Sequence, residues 1–127
     1  MAELFDIVTY DTIKVLDTLN IPETYQNIAE LATPGREAGK YLVGFSLTWS
    51  LASTNKSVYI QFRLNDSDWT ELRSEPKDLT NSVPVYYAFP KDLLGGVMTL
   101  DFQARKEDDL SGQFDIPFLD LFIQRVG

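Results

Sequence analysis

An eleven-residue run with a strict period of two, Tyr41 to Leu51, constrains this chain more than any other feature. Tyr41, Val43, Phe45, Leu47, Trp49 and Leu51 are large and apolar, while Gly44, Ser46, Thr48 and Ser50 between them are small or hydroxylated. Alternate side chains of a strand point to opposite faces, so the run reads as one long strand with a core face and a thin outer face.

The same logic recurs along most of the chain. Val58, Ile60, Phe62 and Leu64 alternate with Tyr59, Gln61 and Arg63, and Met98, Leu100, Phe102 and Ala104 face in while Thr99, Asp101 and Gln103 face out. Shorter β-prone segments cover residues 4–10, 12–19 and 69–72, and residues 25–33 read as a strand in preference to a helical turn. Val83 to Phe89 reads as an edge strand whose pairing is bounded by Pro84 and Pro90, since proline cannot donate to a ladder. The last segment, 114–126, changes phase: Phe114, Ile116 and Phe118 are even, whereas Leu119, Leu121 and Ile123 are odd. A bulge near Pro117, or a strand covered on both faces with a second subunit supplying one cover, explains the shift. Residues 53–57 read as a polar hairpin loop and 65–68 as a turn whose residues bond their own backbone. Seven to nine strands at this spacing predict an all-β fold, a single-domain antiparallel β-sandwich that is jelly-roll-like. It would occupy residues 21–127, with residues 1–20 as a short N-terminal arm or first strands.

At 127 residues the chain can bury a real core, and the absence of cysteine leaves that core to supply stability unaided. No apolar run approaches the ~18 residues of a membrane span, and the N-terminus lacks the basic and apolar regions of a signal peptide. The expectation is a protein made in a reducing cytoplasm. Nineteen acidic against 11 basic residues give a net charge of −8, which repels phosphate backbones and anionic membranes. No nucleic-acid or membrane partner is expected.

Residue chemistry supplies no catalytic centre. The chain has no histidine and no cysteine, which removes the commonest general base, thiol nucleophiles and zinc-finger ligands. No phosphate-binding Gly-rich loop or nucleophile elbow is present. Asp66, Asp68 and Glu71 offer hard oxygens near one turn, but without the calcium loop's central glycine they read as a solvated hairpin turn. Glu107-Asp108-Asp109 reads as a soluble loop tip that discourages edge pairing. Asp115 and Asp120 lie on the last strand, with Asp101 on its expected neighbour, and a hydrolase would use such acids only within a cleft. Asp120, between Leu119 and Leu121, is expected to be partly buried and paired with Arg63 or Arg105. Catalytic, cofactor-binding and metal-binding residues are therefore none. The aromatics remain. Trp69, Tyr86, Tyr87 and Phe89 could make a stacking platform for a sugar, or Trp69 could plug one end of the sandwich while Tyr87 or Phe89 fills its core. Because aromatics dominate cores and interfaces alike, these four and Phe122 are the candidate interface residues.

From about residue 39 onward the chain resembles a jelly-roll domain of the C1q/tumour-necrosis-factor type. The resemblance rests on Gly39 to Trp49, Val58 to Asn65, Gly96 to Ala104 and Phe118 to Arg125; the order of glycine, long strand, polar loop and strand ending in Leu-Asn is similar to that fold's central hairpin. The glycine-rich closing strand usual there is absent. Phe89-Pro90 with Gly95-Gly96, and Ala104-Arg105-Lys106, are also similar to small accessory virion proteins of tailed phages. That resemblance implies a non-enzymatic capsid decoration or tail-associated protein, trimeric or otherwise multimeric, that docks on a major capsid or tail protein and resides in the virion. It carries over no catalytic residue. The alternative is a carbohydrate-binding module or the receptor-binding head of a fibre, taking a surface glycan.

Overall fold

A computed structural model of the chain describes residues 9–53, 56–74 and 80–127; the β-prone stretch expected at 4–8 lies outside them. The described residues form eight strands: β1 (Tyr10–Thr18), β2 (Gln26–Ala32), β3 (Gly39–Leu51), β4 (Val58–Leu64), β5 (Thr70–Ser74), β6 (Thr80–Leu93), β7 (Thr99–Lys106) and β8 (Phe114–Arg125). They make two antiparallel sheets, β1-β8-β3-β6 and β2-β7-β4-β5, the strand order of an eight-stranded jelly roll. The all-β sandwich expected from periodicity is present.

Each sheet turns its odd or even residues inward as the alternation requires. The odd residues of β3 from Tyr41 to Leu51 are buried, opposed across the interior by Ile60, Phe62, Leu100 and Phe102. Phe45 sits at the centre, 5.4 Å from Phe62, 5.1 Å from Phe102 and 5.8 Å from Tyr87 between ring centroids.

The phase change in β8 is a bulge. Thr48 pairs with Phe118 but Ser50 pairs with Asp115, so β8 holds one extra residue at Ile116-Pro117. Inward positions accordingly switch from Phe114 and Ile116 to Leu119, Leu121 and Ile123. Asp17, in the facing part of β1, takes a left-handed φ of 55°.

Two local expectations need correction. The strands on either side of 53–57, β3 and β4, belong to opposite sheets, so they are not the two arms of a hairpin as expected. The edge strand expected at 83–89 instead runs from Thr80 to Leu93, through both prolines. The hydrogen-bond parity explains this. Val126 donates to Lys40 and Arg125 to Thr9, so even residues of β8 bond β3 while odd ones bond β1. Carried across the ladder, odd residues of β6 bond β3 and even ones face the open edge. Pro84 and Pro90 are even, so their missing N–H groups are missing only toward solvent.

The expected turn at 65–68 is present. Asn65 and Asp66 have φ of 53° and 59°, and the Ser67 N–H donates to the Leu64 carbonyl at 3.1 Å, a type I′ turn joining β4 to β5.

Candidate functional site

The outer faces of the two sheets differ in chemistry, and every candidate residue falls on one of them or in the core between. On the first sheet the outward rows are the even residues of β1, of β3, of β6 from Pro84 onward and of β8 beyond its bulge. Its middle is thin because β3 contributes Gly44, Ser46 and Thr48. The Phe122 ring lies down over Gly44, where an added Cβ would stand 2.9 Å from Phe122 Cζ. Phe122 is consequently only 6% exposed although it points out of the sandwich.

Tyr10 and Tyr86 flank that ring at 6.2 and 6.0 Å, the second stacked at 21°. Both remain open to solvent, 54% and 67% exposed, and Leu16 on the same face is 65% exposed. Burial, then Asp120 and Tyr86, push the Tyr10 hydroxyl above its ordinary pKa. Asp120 is the one acid in this patch and accepts the Thr12 hydroxyl. Its expected pairing with Arg63 or Arg105 does not occur, because both arginines lie on the other sheet.

The second sheet turns a polar face outward. Arg63 on β4 bonds Asp101 at 3.1 Å, reaches Asp66 at 3.5 Å and lies 4.5 Å over the Trp69 ring. Arg105 sits 3.9 Å from the Tyr59 ring and 5.2 Å from Tyr25. Gln61 donates to Gln103 at 2.6 Å, and Gln103 donates in turn to Asn27. The Tyr25 hydroxyl donates to Glu71, and burial together with that carboxylate drives its pKa far up. Glu30 beside Asp101 has its carboxyl raised by the hydrogen bond and charge of that neighbour. Of these groups Asn27, Glu30, Arg63, Asp66, Asp101 and Gln103 border an open concavity of about 860 Å³ whose one large ring is Trp69.

The five candidate interface residues therefore separate. Tyr86 and Phe122 meet on the first outer face; Tyr87 and Phe89 turn inward against Phe62 at 5.2 and 5.9 Å; Trp69 lies on the opposite outer face. No single platform collects Trp69, Tyr86, Tyr87 and Phe89, since consecutive odd and even positions of β6 face opposite ways.

The acids separate likewise. Asp101 faces out from the second sheet, Asp120 from the first, and Asp115 accepts the Asn20 N–H at 2.9 Å. Asp101 is not on a neighbour of the last strand, because β7 and β8 lie in different sheets. Asp66 and Glu71 have separate partners, Arg63 and Tyr25, and among the described residues no three acids gather as metal ligands. Glu107 and Asp108 share a cation: Lys56 bonds Asp108 at 2.9 Å and Glu107 at 3.5 Å, while Asp108 also accepts the Ser111 N–H at 2.9 Å. Tyr10, Leu16, Tyr25 and Tyr59 belong to these surfaces and were not singled out from sequence. Parity on β1 and β4 is the available signal for Tyr10, Leu16 and Tyr59, while Tyr25 stands just before β2; strand pairing is needed to show what each stands beside.

No family model matches the chain, and no curated protein matches it. Solved structures do. Infectious bursal disease virus, Gx strain, is similar with a TM-score of 0.51 at 8% identity over 94% of this chain and 36% of that one. A pentameric capsid protein from metagenomic phage sequences is similar at TM-score 0.34 and 19% identity, over 91% of this chain and 61% of that one. The C-terminal CBM6 of LamC, a marine laminarinase from Zobellia galactanivorans, is similar at TM-score 0.38 and 12% identity, over 90% and 98%. This chain spans little more than a third of the bursal virus chain. At such identities a likeness reaches no further than fold, and the strand order of the described residues is that of a jelly-roll sandwich.

Proposed function

We propose that this protein is a non-enzymatic structural component of a virion, which self-associates and docks on a capsid or tail protein of a phage. The observation that carries the reading is the Tyr10–Phe122–Tyr86 cluster on the outer face of the first sheet, with Leu16 exposed on the same face. Tyr10, Leu16, Tyr86 and Phe122 project from four-stranded scaffolding already backed by a full core, so the sandwich does not need them outside for its own stability. Contiguous exposed apolar surface on a soluble domain marks an interaction site, and aromatics are enriched in such sites. The virus and phage-capsid names among the similar structures agree with this reading, and Asp101, Asp115 and Asp120 lie apart from one another.

Mass spectrometry of purified particles from the phage that encodes the chain tests the role. The expected result is this protein in particle fractions at a fixed ratio to the major capsid or tail protein. Its absence from particles, with the chain recovered only in the soluble lysate, contradicts it.

A second reading rests on the other face. The concavity beside Trp69 presents Arg63, Asn27, Gln103 and Glu30, donors and acceptors suited to the hydroxyls of a surface glycan. A glycan array with a Trp69→Ala control separates the two: specific signal lost with the indole favours sugar binding, and a blank array removes this reading.

A further inference from the structure

Among the described residues, four strands form the edges of the two sheets: β1 and β6 in one, β2 and β5 in the other. A bare edge is a template for another strand, and proteins blunt edges they do not use. β6 carries Pro84 and Pro90 at positions facing its open edge. β2 is bulged between Asn27 and Ala29. β5 has only five residues. β1 has none of these devices from Tyr10 to Leu16, where its register with β8 is unbroken.

The geometry of that edge is specific. Because Thr9 accepts from Arg125, odd residues of β1 bond β8, so the backbone groups of Tyr10, Thr12, Lys14 and Leu16 point away from the sheet. The run ends where Asp17 adopts a left-handed φ. It is centred on Ile13.

We propose that β1 pairs antiparallel with β1 of a second copy about a twofold axis at Ile13. This joins the two first sheets into one eight-stranded sheet and rests on the self-association reading above. The register is set by side chains. Pairing about Ile13 places Tyr10 opposite Leu16 of the partner and Thr12 opposite Lys14, so the two most exposed apolar residues of the strand cover each other. Pairing about Lys14 would set two lysines face to face, which is destabilising across a strand pair. A twofold contact is self-complementary, which fits a second copy better than an unrelated peptide. The strand stays with its own chain: β8 holds one edge, and Arg36 grips Asp11 through both oxygens at 2.6 and 3.0 Å. The contact is addition, not exchange, and closes at two copies, where the phage-protein resemblance implies a trimer or another multimer. Each pair then presents the Tyr10–Phe122–Tyr86 cluster twice on one continuous face.

The test is amide exchange read residue by residue at low and high micromolar protein, beside sedimentation of wild type and Lys14→Pro. In a lone chain the amides of Thr12, Lys14 and Leu16 exchange freely while those of Ile13 and Val15 are protected. The expected result is concentration-dependent protection of the three even amides, a mass of two chains, and a return to one chain for Lys14→Pro. That proline removes an N–H β8 does not use; should the variant not fold, wild-type exchange alone decides. An oligomer whose even amides stay fast overturns the edge contact and leaves self-association standing. One chain at every concentration overturns both.

Discussion

Gly44 shows how one small residue shapes a surface. An added Cβ there would stand 2.2 Å from the Tyr87 carbonyl, 2.8 Å from Ala88 Cα and 2.9 Å from the Phe122 ring. Two of those neighbours are backbone and cannot swing aside. Gly44→Ala should therefore destabilise the fold by ~1–3 kcal/mol through overpacking, read as a lower denaturation midpoint. It should also lift Phe122 and alter the near-ultraviolet circular dichroism of the tyrosine cluster. An unchanged midpoint would mean that Phe122 does not lie against this glycine. Asp108 makes a second prediction at this scale. Lys56, then Ser111, hold its carboxyl below the ordinary value of 3.8, so its charged form is favoured in the folded state. A depressed acid stabilises the fold above its unfolded pKa and loses that contribution as pH falls through the folded value. The stability gap between wild type and Asp108→Asn should thus be widest near neutrality and close below pH ~4, the region of an unperturbed aspartate. A gap that stays undiminished as pH falls well below ~4 would assign the effect to loop geometry and not to charge.

Strand parity governs the elements. Phe45 touches Phe62, Phe102 and Tyr87, so Phe45→Ala should remove ~3–5 kcal/mol, measured by denaturant unfolding. Pro84→Ala with Pro90→Ala restores two N–H groups to the open edge of β6. Stability should change by less than ~1 kcal/mol per site, yet light scattering at high concentration should rise as that edge becomes available. Equal scattering in both proteins would remove the edge-blunting role given to these prolines. This parity is also what could be read from sequence: the inward rows of β3, β4 and β7 follow from alternation alone, and Pro117 marked the β8 bulge. Sheet membership could not be read that way. The 53–57 segment has a loop's composition whether the strands it joins share a sheet or not, so the partners of Asp120 and Asp101 were misplaced with it. The Tyr10–Phe122–Tyr86 cluster was hidden for the same reason, since its members come from three strands far apart in the chain. Phe122 stood out as an aromatic, but only the ladder reveals the glycine beneath it.

At the scale of the molecule, two faces of one sandwich have different surfaces, one with an aromatic cluster set among polar residues, the other polar with its cations placed over rings. With a net charge of −8, copies of the chain repel at a distance while the aromatic cluster favours contact. Association should therefore strengthen as salt rises to physiological strength, where screening acts within ~8 Å. Sedimentation equilibrium at low and moderate salt reads this directly. Which face of the sandwich associates is the decisive point. Sedimentation of wild type, of a Leu16→Asp/Tyr86→Asp variant and of Trp69→Ala, all at high micromolar concentration, decides it. The expected result is a multiple of the 14.4 kDa chain for wild type and Trp69→Ala, and a single chain for the Leu16/Tyr86 variant. A single chain in wild type, or loss of association only in Trp69→Ala, would contradict it.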